Sequence, residues 1–394
     1  MNSRLKELLD HLSATLTLER EAEIDERHHR ALSWEPVDRL PLVLSYPAPP
    51  GNFQPYPHSQ TLEDPEKMLF NELVSTYGTS VVHRNLVGDD LPCTLRANFG
   101  CGIIASLFGA HIEQVEENPS WVHPHTTPEA FWDAIERDPL DFTQGWAPRV
   151  KERYAFYREI LAGRQELSAV IKLVLPDLQG PMDNFEMLRG SDVFLDFYTD
   201  PDRVQAALGT LATAQIGFAR HLAPWLTDGP QGWSHQHSFT LPGCILVRVD
   251  TAIMLSPQMY REQVKPHDER VLRELGGGGL HSCGKVGHLA SEFLTLASGR
   301  CLDLGQPLLN DMDALYRLAR ELRVSLLRVS VSEAELTSGA VLGRFPTGVS
   351  LLHVARSVDE ARRIMTAYRR SAQRRGKGNH ATSEPEPQGD VSPN

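Results

Sequence analysis

Eight short apolar runs recur along the 394 residues with amphipathic stretches between them, and this alternation restricts the fold more than any other feature. The spacing predicts strands at 39–46, 80–87, 169–176, 244–250, 279–284, 300–305, 324–331 and 348–354. Runs this short and continuous suit strands buried on both faces, as a parallel sheet requires. Strands that alternate with helices predict an α/β protein, and eight of them predict a (β/α)8 TIM barrel. A doubly wound open sheet is the alternative architecture.

The intervening segments carry helix signals. Asp64-Pro65 opens one helix and Gly78 follows it; Ser256, Asn310 and Ser357 stand as N-caps of others. Pro266 is expected to kink or break the helix that Ser256 starts. Gly276–Gly279 precede a strand, so they read as a helix C-cap and turn and not as a phosphate cradle. Residues 1–33 form an N-terminal helical extension and 34–370 the barrel, with a long Pro- and Trp-rich insertion (about 88–168) after strand 2. Residues 371–394 are polar and proline-rich, the composition of a disordered tail.

A net charge of −12 without a basic stripe argues against nucleic acid as a partner. Five dispersed cysteines, no apolar leader and no long apolar run point to a cytoplasmic protein outside the membrane. A small-molecule substrate is the expected partner, and an oligomer is left open.

Barrel enzymes build their sites where the strands end. The strand assignments put Asp89, Asp90, Asp177, Asp250, His281, Cys283, Ser330 and His353 on that rim. His281-Ser282-Cys283-Gly284 carries the sharpest local chemistry. Residues two apart on a strand share a face, so imidazole and thiol converge, and zinc takes both. Asp250 and His353 are the alternatives for a third ligand. His235-Gln236-His237 and His123-Pro124-His125 repeat a ligand-like spacing, but 16 histidines make such pairs expected by chance. The plain alternative is that Cys283 is a small buried apolar group and His281 bonds a neighbour.

The segments 176–204 (PDLQGPMDNFEMLRGSDVFLDFYTDPDRV), VDTAIMLSPQMYREQVKPHDERVL and GLHSCGKVGHL resemble the uroporphyrinogen decarboxylase superfamily. The HSCG form is similar to its zinc-dependent, corrinoid-linked methyltransferase branch. The resemblance spans Trp34 to Tyr368 and implies a (β/α)8 barrel. It implies zinc on His281 and Cys283, a catalytic aspartate at Asp89 or Asp90, and a late histidine at His353. The chain departs from both branches. SYPAPPGNFQPYP contains none of the arginines with which decarboxylases hold porphyrinogen carboxylates, and no cysteine follows Cys301 to complete a methyltransferase ligand set.

Three functions follow. The first is zinc-dependent methyl transfer, with Asp250 or His353 as third ligand, Asp90 positioning a thiol or hydroxyl substrate, and a corrinoid, carried by a partner protein, or a similar donor supplying the methyl. The second is decarboxylation of a tetrapyrrole or a smaller acid, with Asp89 or Asp90 stabilising charge. The third is a barrel that binds a ligand without turning it over.

Overall fold

The computed structural model describes residues 1–381 except 49–50, 52, 76–77, 115–117, 119, 230–231 and 237–238. His237 and the tail beyond 381 therefore lie outside the described residues. Eight short parallel strands appear in chain order: β1 (Leu42–Ser45), β2 (Thr94–Leu95), β3 (Lys172–Leu173), β4 (Ile245–Arg248), β5 (Gly278–Ser282), β6 (Gly299–Leu304), β7 (Ser325–Ser330) and β8 (Val349–Val354). Six of them form one parallel sheet in the order β1-β8-β7-β6-β5-β4, so the first strand lies beside the last. β2 pairs with β3 in a separate two-stranded parallel sheet. Among the described residues no ladder joins the two sheets, so the closed barrel expected above is not formed as a continuous hydrogen-bonded cylinder. The architecture is α/β, built on a six-stranded parallel sheet.

One strand assignment is corrected. Residues 80–87 are helical, a 3-10 turn at Val81–His83 running into a helix at Arg84–Val87, and the second strand lies later, at Thr94–Leu95. The run 80–87 is apolar only at Val81, Val82, Leu86 and Val87, and Leu86 is exposed, so burial is one-sided, as a short helix prefers. The insertion therefore runs from Arg96 to Ile171 and holds a hairpin and several helices.

Glycine lets three of the site-bearing strands close up. A Cβ on Gly278 would sit 1.8 Å from the Ile245 carbonyl oxygen, and one on Gly279 would sit 2.2 Å from that of Cys301. Gly276 is the helix C-cap, at φ +95°, so this glycine run is cap, turn and strand, as the sequence indicates. Pro266 does not break its helix. A π-helical turn at Tyr260–Val264 absorbs the missing amide, and the helix resumes at Lys265–Leu275.

The N-terminal helices α1 (Ser3–Thr15) and α2 (Leu18–Leu32) are integral to the body. Leu5, Leu8, Leu9 and Leu12 are fully buried in the main core. The last helix, Val358–Ala381, extends into the first part of the segment expected to be a disordered tail, and Ala361, Ile364, Met365, Tyr368 and Ala372 form its buried stripe.

Candidate metal centre

At the C-terminal ends of β4, β5, β6 and β7, a cavity of about 380 Å³ is lined by Asp177, Arg248, Asp250, His281, Cys283 and Arg328, among others. Donor atoms of Asp250, His281 and Cys283 all lie within 4.8 Å of one another. His281 Nε2 is 3.5 Å from Cys283 Sγ and 3.7 Å from Asp250 Oδ1. The convergence expected of imidazole and thiol is therefore present, although Cys283 stands just past the end of β5.

Each donor is fixed from behind. His281 Nδ1 lies 2.5 Å from Asp303 Oδ2, across the register pair His281–Asp303 of β5 and β6. Asp303 is fully buried. Burial alone would raise its pKa, but the Arg328 charge and the bonds from His281 and Arg328 hold it well below the usual carboxylate range. An ionised Asp303 accepts a proton donor only, so His281 Nδ1 carries the hydrogen and Nε2 presents its lone pair to the cavity. Arg328 completes the support. Its Nε donates to Asp303 Oδ1 at 2.9 Å, and the residue adopts φ +50° where the β7–β8 register shifts. Left-handed backbone at a non-glycine residue costs about 1–3 kcal/mol, here offset by a bidentate ion pair with a buried carboxylate.

Asp250 follows β4, and its Oδ1 accepts from the Cys283 amide at 2.6 Å. Asp183 fixes its backbone by accepting from the amides of Asp250 and Thr251. Gly305 leaves room for the sulfur, since a Cβ there would lie 2.6 Å from Cys283 Sγ and 3.5 Å from His281 Cε1. Asn310, expected to cap a helix, instead bonds the Gly284 carbonyl and the Val286 amide just after Cys283. The cap is Asp311, which accepts from Ala314.

The donor set fits a zinc-class cation. Imidazole nitrogen, thiol sulfur and carboxylate oxygen are its usual ligands, and a histidine whose second nitrogen meets a carboxylate is the usual way to orient one. Burial and the neighbouring Asp250 charge push the Cys283 thiol up to about 12, an arrangement that a bound cation reverses by favouring thiolate. For a zinc ion held by this donor set, Asp303→Asn is expected to weaken binding 10- to 100-fold, the range for lost support behind a ligand. Competition with a chromophoric chelator measures it, and unchanged affinity would remove Asp303 from this role.

The other proposed residues stand outside the donor group. Asp177 lines the cavity and its Oδ2 is 2.8 Å from Arg248 Nε, and Ser330 lines the cavity too. His353 ends β8, but its Nδ1 is 2.7 Å from the Val331 carbonyl oxygen and it is absent from the donor group. Asp89 and Asp90 precede β2 instead of following it. They bond the first part of β1, where Asp90 accepts from the Leu42 amide and Asp89 from that of Leu44. Neither lines the cavity. His235 is buried against Asp228, with Nδ1 2.8 Å from Oδ1.

Asp89 has a consequence for stability. It is fully buried, and one of its oxygens has no partner. Burial and the Asp90 charge, against the Leu44 amide bond, raise its pKa to about 7. A carboxyl raised in the folded state loses stabilising power as pH climbs from its ordinary value of 3.8 to about 7. Asp89→Asn keeps the acceptor for Leu44 and removes the ionisation. It is expected to be more stable than wild type at pH 8, on the order of 4 kcal/mol at most, with the advantage vanishing near pH 4. Denaturant titration at the two pH values measures the difference; equal effects at both would contradict the assignment.

Arg248, Asp303 and Arg328 were not anticipated as site residues. Each is a charged residue inside an otherwise apolar strand run (ILVRV, CLDLG, SLLRVS), a pattern that requires a buried partner and could have flagged them.

No protein-family model matches the chain, and no curated protein matches it. Solved structures do, 15 chains in all. One is a methyltransferase from Methanosarcina mazei, with a TM-score of 0.61 at 17% identity, over 90% of this chain and 99% of the other. The chain therefore shares that protein's fold along almost its whole length.

Proposed function

We propose that this chain is a zinc-dependent methyltransferase on a (β/α)8 frame, of the uroporphyrinogen decarboxylase and corrinoid methyltransferase superfamily. The observation that carries the reading is the convergence of Asp250, His281 and Cys283 on one point of a cavity at the strand ends. The placement of β1 beside β8 supports a barrel over a doubly wound sheet. The likeness to a methyltransferase fold supports the chemistry, and so does the position of Asp89 and Asp90, which a decarboxylase would need beside its substrate.

Three protein donors leave a fourth position open, the pattern of a catalytic rather than a structural site. When bound, zinc supplies a Lewis acid that keeps a sulfur or oxygen nucleophile anionic near neutral pH. The chain's own residues do the rest. His281 holds its proton on Nδ1 against Asp303 and offers Nε2. Asp250 bridges the third donor position and the Cys283 amide, which fixes the distance between β4 and β5. Arg248 and Arg328 are held by Asp177 and Asp303, so the wall presents fixed dipoles and few mobile charges. The methyl donor is assigned to a corrinoid, carried by a partner or free, and the acceptor to a thiol or hydroxyl.

The test uses zinc-loaded protein with free methylcobalamin and a panel of small thiols and alcohols, following loss of the methyl–cobalt absorption. Transfer that disappears in His281→Ala is expected. Tight binding of a panel member without turnover would return the non-catalytic reading, and a chain that takes up no zinc at Cys283 would end the metal proposal.

A further inference from the structure

A second set of metal donors stands on the insertion, away from the cavity. Strands His111–Glu113 and Trp121–His123 pair antiparallel, with His111 opposite His123 and Glu113 opposite Trp121. Alternation puts His111 and Glu113 on one face of the first strand, and direct pairing puts His123 on that same face. The imidazoles stack, with centroids 5.2 Å apart and planes 27° apart. His123 Nε2 lies 2.9 Å from Glu113 Oε2, and the donor atoms of all three residues fall within 4.8 Å of one another. The opposite face is anchored. Ile112 and Val122 pack where a Cβ on Gly102 would be, 2.7 Å and 3.0 Å from their nearest atoms. One side of the hairpin is thus seated on the body while the other turns two imidazoles and a carboxylate outward.

We propose that His111, Glu113 and His123 bind a divalent transition-metal ion of the zinc class. Two histidines and one glutamate are a set that zinc takes with a further position open to water. Tetrahedral zinc at its usual bond lengths needs donors roughly 3.4 Å apart, a contraction that rotation of exposed side chains supplies without moving the backbone. Along the chain the ligand-like spacing is His123 with His125, a pair expected by chance among 16 histidines. The pairing that forms is across strands instead, because Pro124 follows the strand and the next residue's amide turns to the Leu188 carbonyl. A bound ion would clip the two strands at the open end of the hairpin.

Zinc titration of tag-free Cys283→Ala chain, by calorimetry with elemental analysis, tests this site separately from the cavity. One zinc equivalent is expected, and it is lost when His111→Ala and His123→Ala are added to that background. Either no zinc bound by the Cys283→Ala chain, or a full zinc equivalent bound with undiminished affinity after both histidine changes, overturns the proposal. The cobalt-substituted wild type keeps the two sites distinguishable, because only the Cys283 site yields a thiolate-to-cobalt absorption band.

Discussion

Cys283→Ala is expected to lower the zinc content by one equivalent and to abolish the thiolate-to-cobalt band of the cobalt-substituted protein. Zinc sites bind with apparent free energies of roughly 10 kcal/mol or more, so losing one donor of three corresponds to a weakening of about 10²- to 10³-fold. Residual binding would rest on His281 and Asp250, whose positions depend on Asp303 and on the Cys283 amide, both of which alanine preserves. The metal-free variant should fold nearly as well as wild type, since the substitution deletes one half-buried sulfur and its single long contact with His281 Nε2, a cost within about 1 kcal/mol. Zinc itself should separate the two. At a hundredfold excess over its dissociation constant it stabilises wild type by about 2.7 kcal/mol and the variant, through its weakened cavity, by at most about 0.4 kcal/mol. An undiminished cobalt–thiolate band in the variant, or equal zinc stabilisation of both proteins, would show that the sulfur at 283 is a packing group.

The parts of the site that lay in one stretch of chain were legible, and the parts assembled across strands were not. His281 and Cys283 are neighbours on β5, so strand periodicity alone brings them together. Asp250 was one of two options for a third donor, and only the β4–β5 register, Arg248 against His281, separates it from His353. Asp303 and Arg328 belong to β6 and β7, and their role depends on a shear between strands that no local pattern encodes. The fold shows the same division. Seven strand assignments overlap observed strands, because a buried parallel strand is apolar throughout and visible in a window of residues. The failure at 80–87 came from an apolar run too short for periodicity to tell strand from helix. It moved Asp89 and Asp90 from the end of a strand to the approach of one, and with that shift their expected place beside the substrate was lost.

Asp90→Ala is expected to be the most destabilising single change at a polar residue, by about 3–5 kcal/mol, the range for removing one partner of a buried ion pair. Its carboxylate is fully buried. It bonds Arg39 through both guanidinium nitrogens, takes Arg27 Nη1 at 2.9 Å, accepts from the Leu42 amide at 3.1 Å, and has Arg20 within 3.6 Å. Arg20 and Arg27 belong to α2 and Leu42 begins β1, so one carboxylate joins the N-terminal helices to the start of the sheet. Alanine would leave Arg39, itself almost fully buried, with its charge uncompensated. Burial raises the Asp90 pKa, but the arginines more than cancel this and hold it below the usual range. A depressed carboxyl contributes its full stability above the unfolded value, near 3.9, and loses it as pH falls through the folded one. The gap between wild type and variant should therefore be complete at pH 7 and shrink on approach to pH 3, as read from denaturant midpoints at constant m-value. Asp90→Asn supplies the opposing outcome. If it folds with near-normal stability yet loses turnover while keeping zinc, Asp90 acts on substrate after all. If stability falls and the surviving folded protein takes up zinc and turns over normally, the residue is a staple at the end of the sheet remote from the chemistry, where barrel proteins place stability and not catalysis.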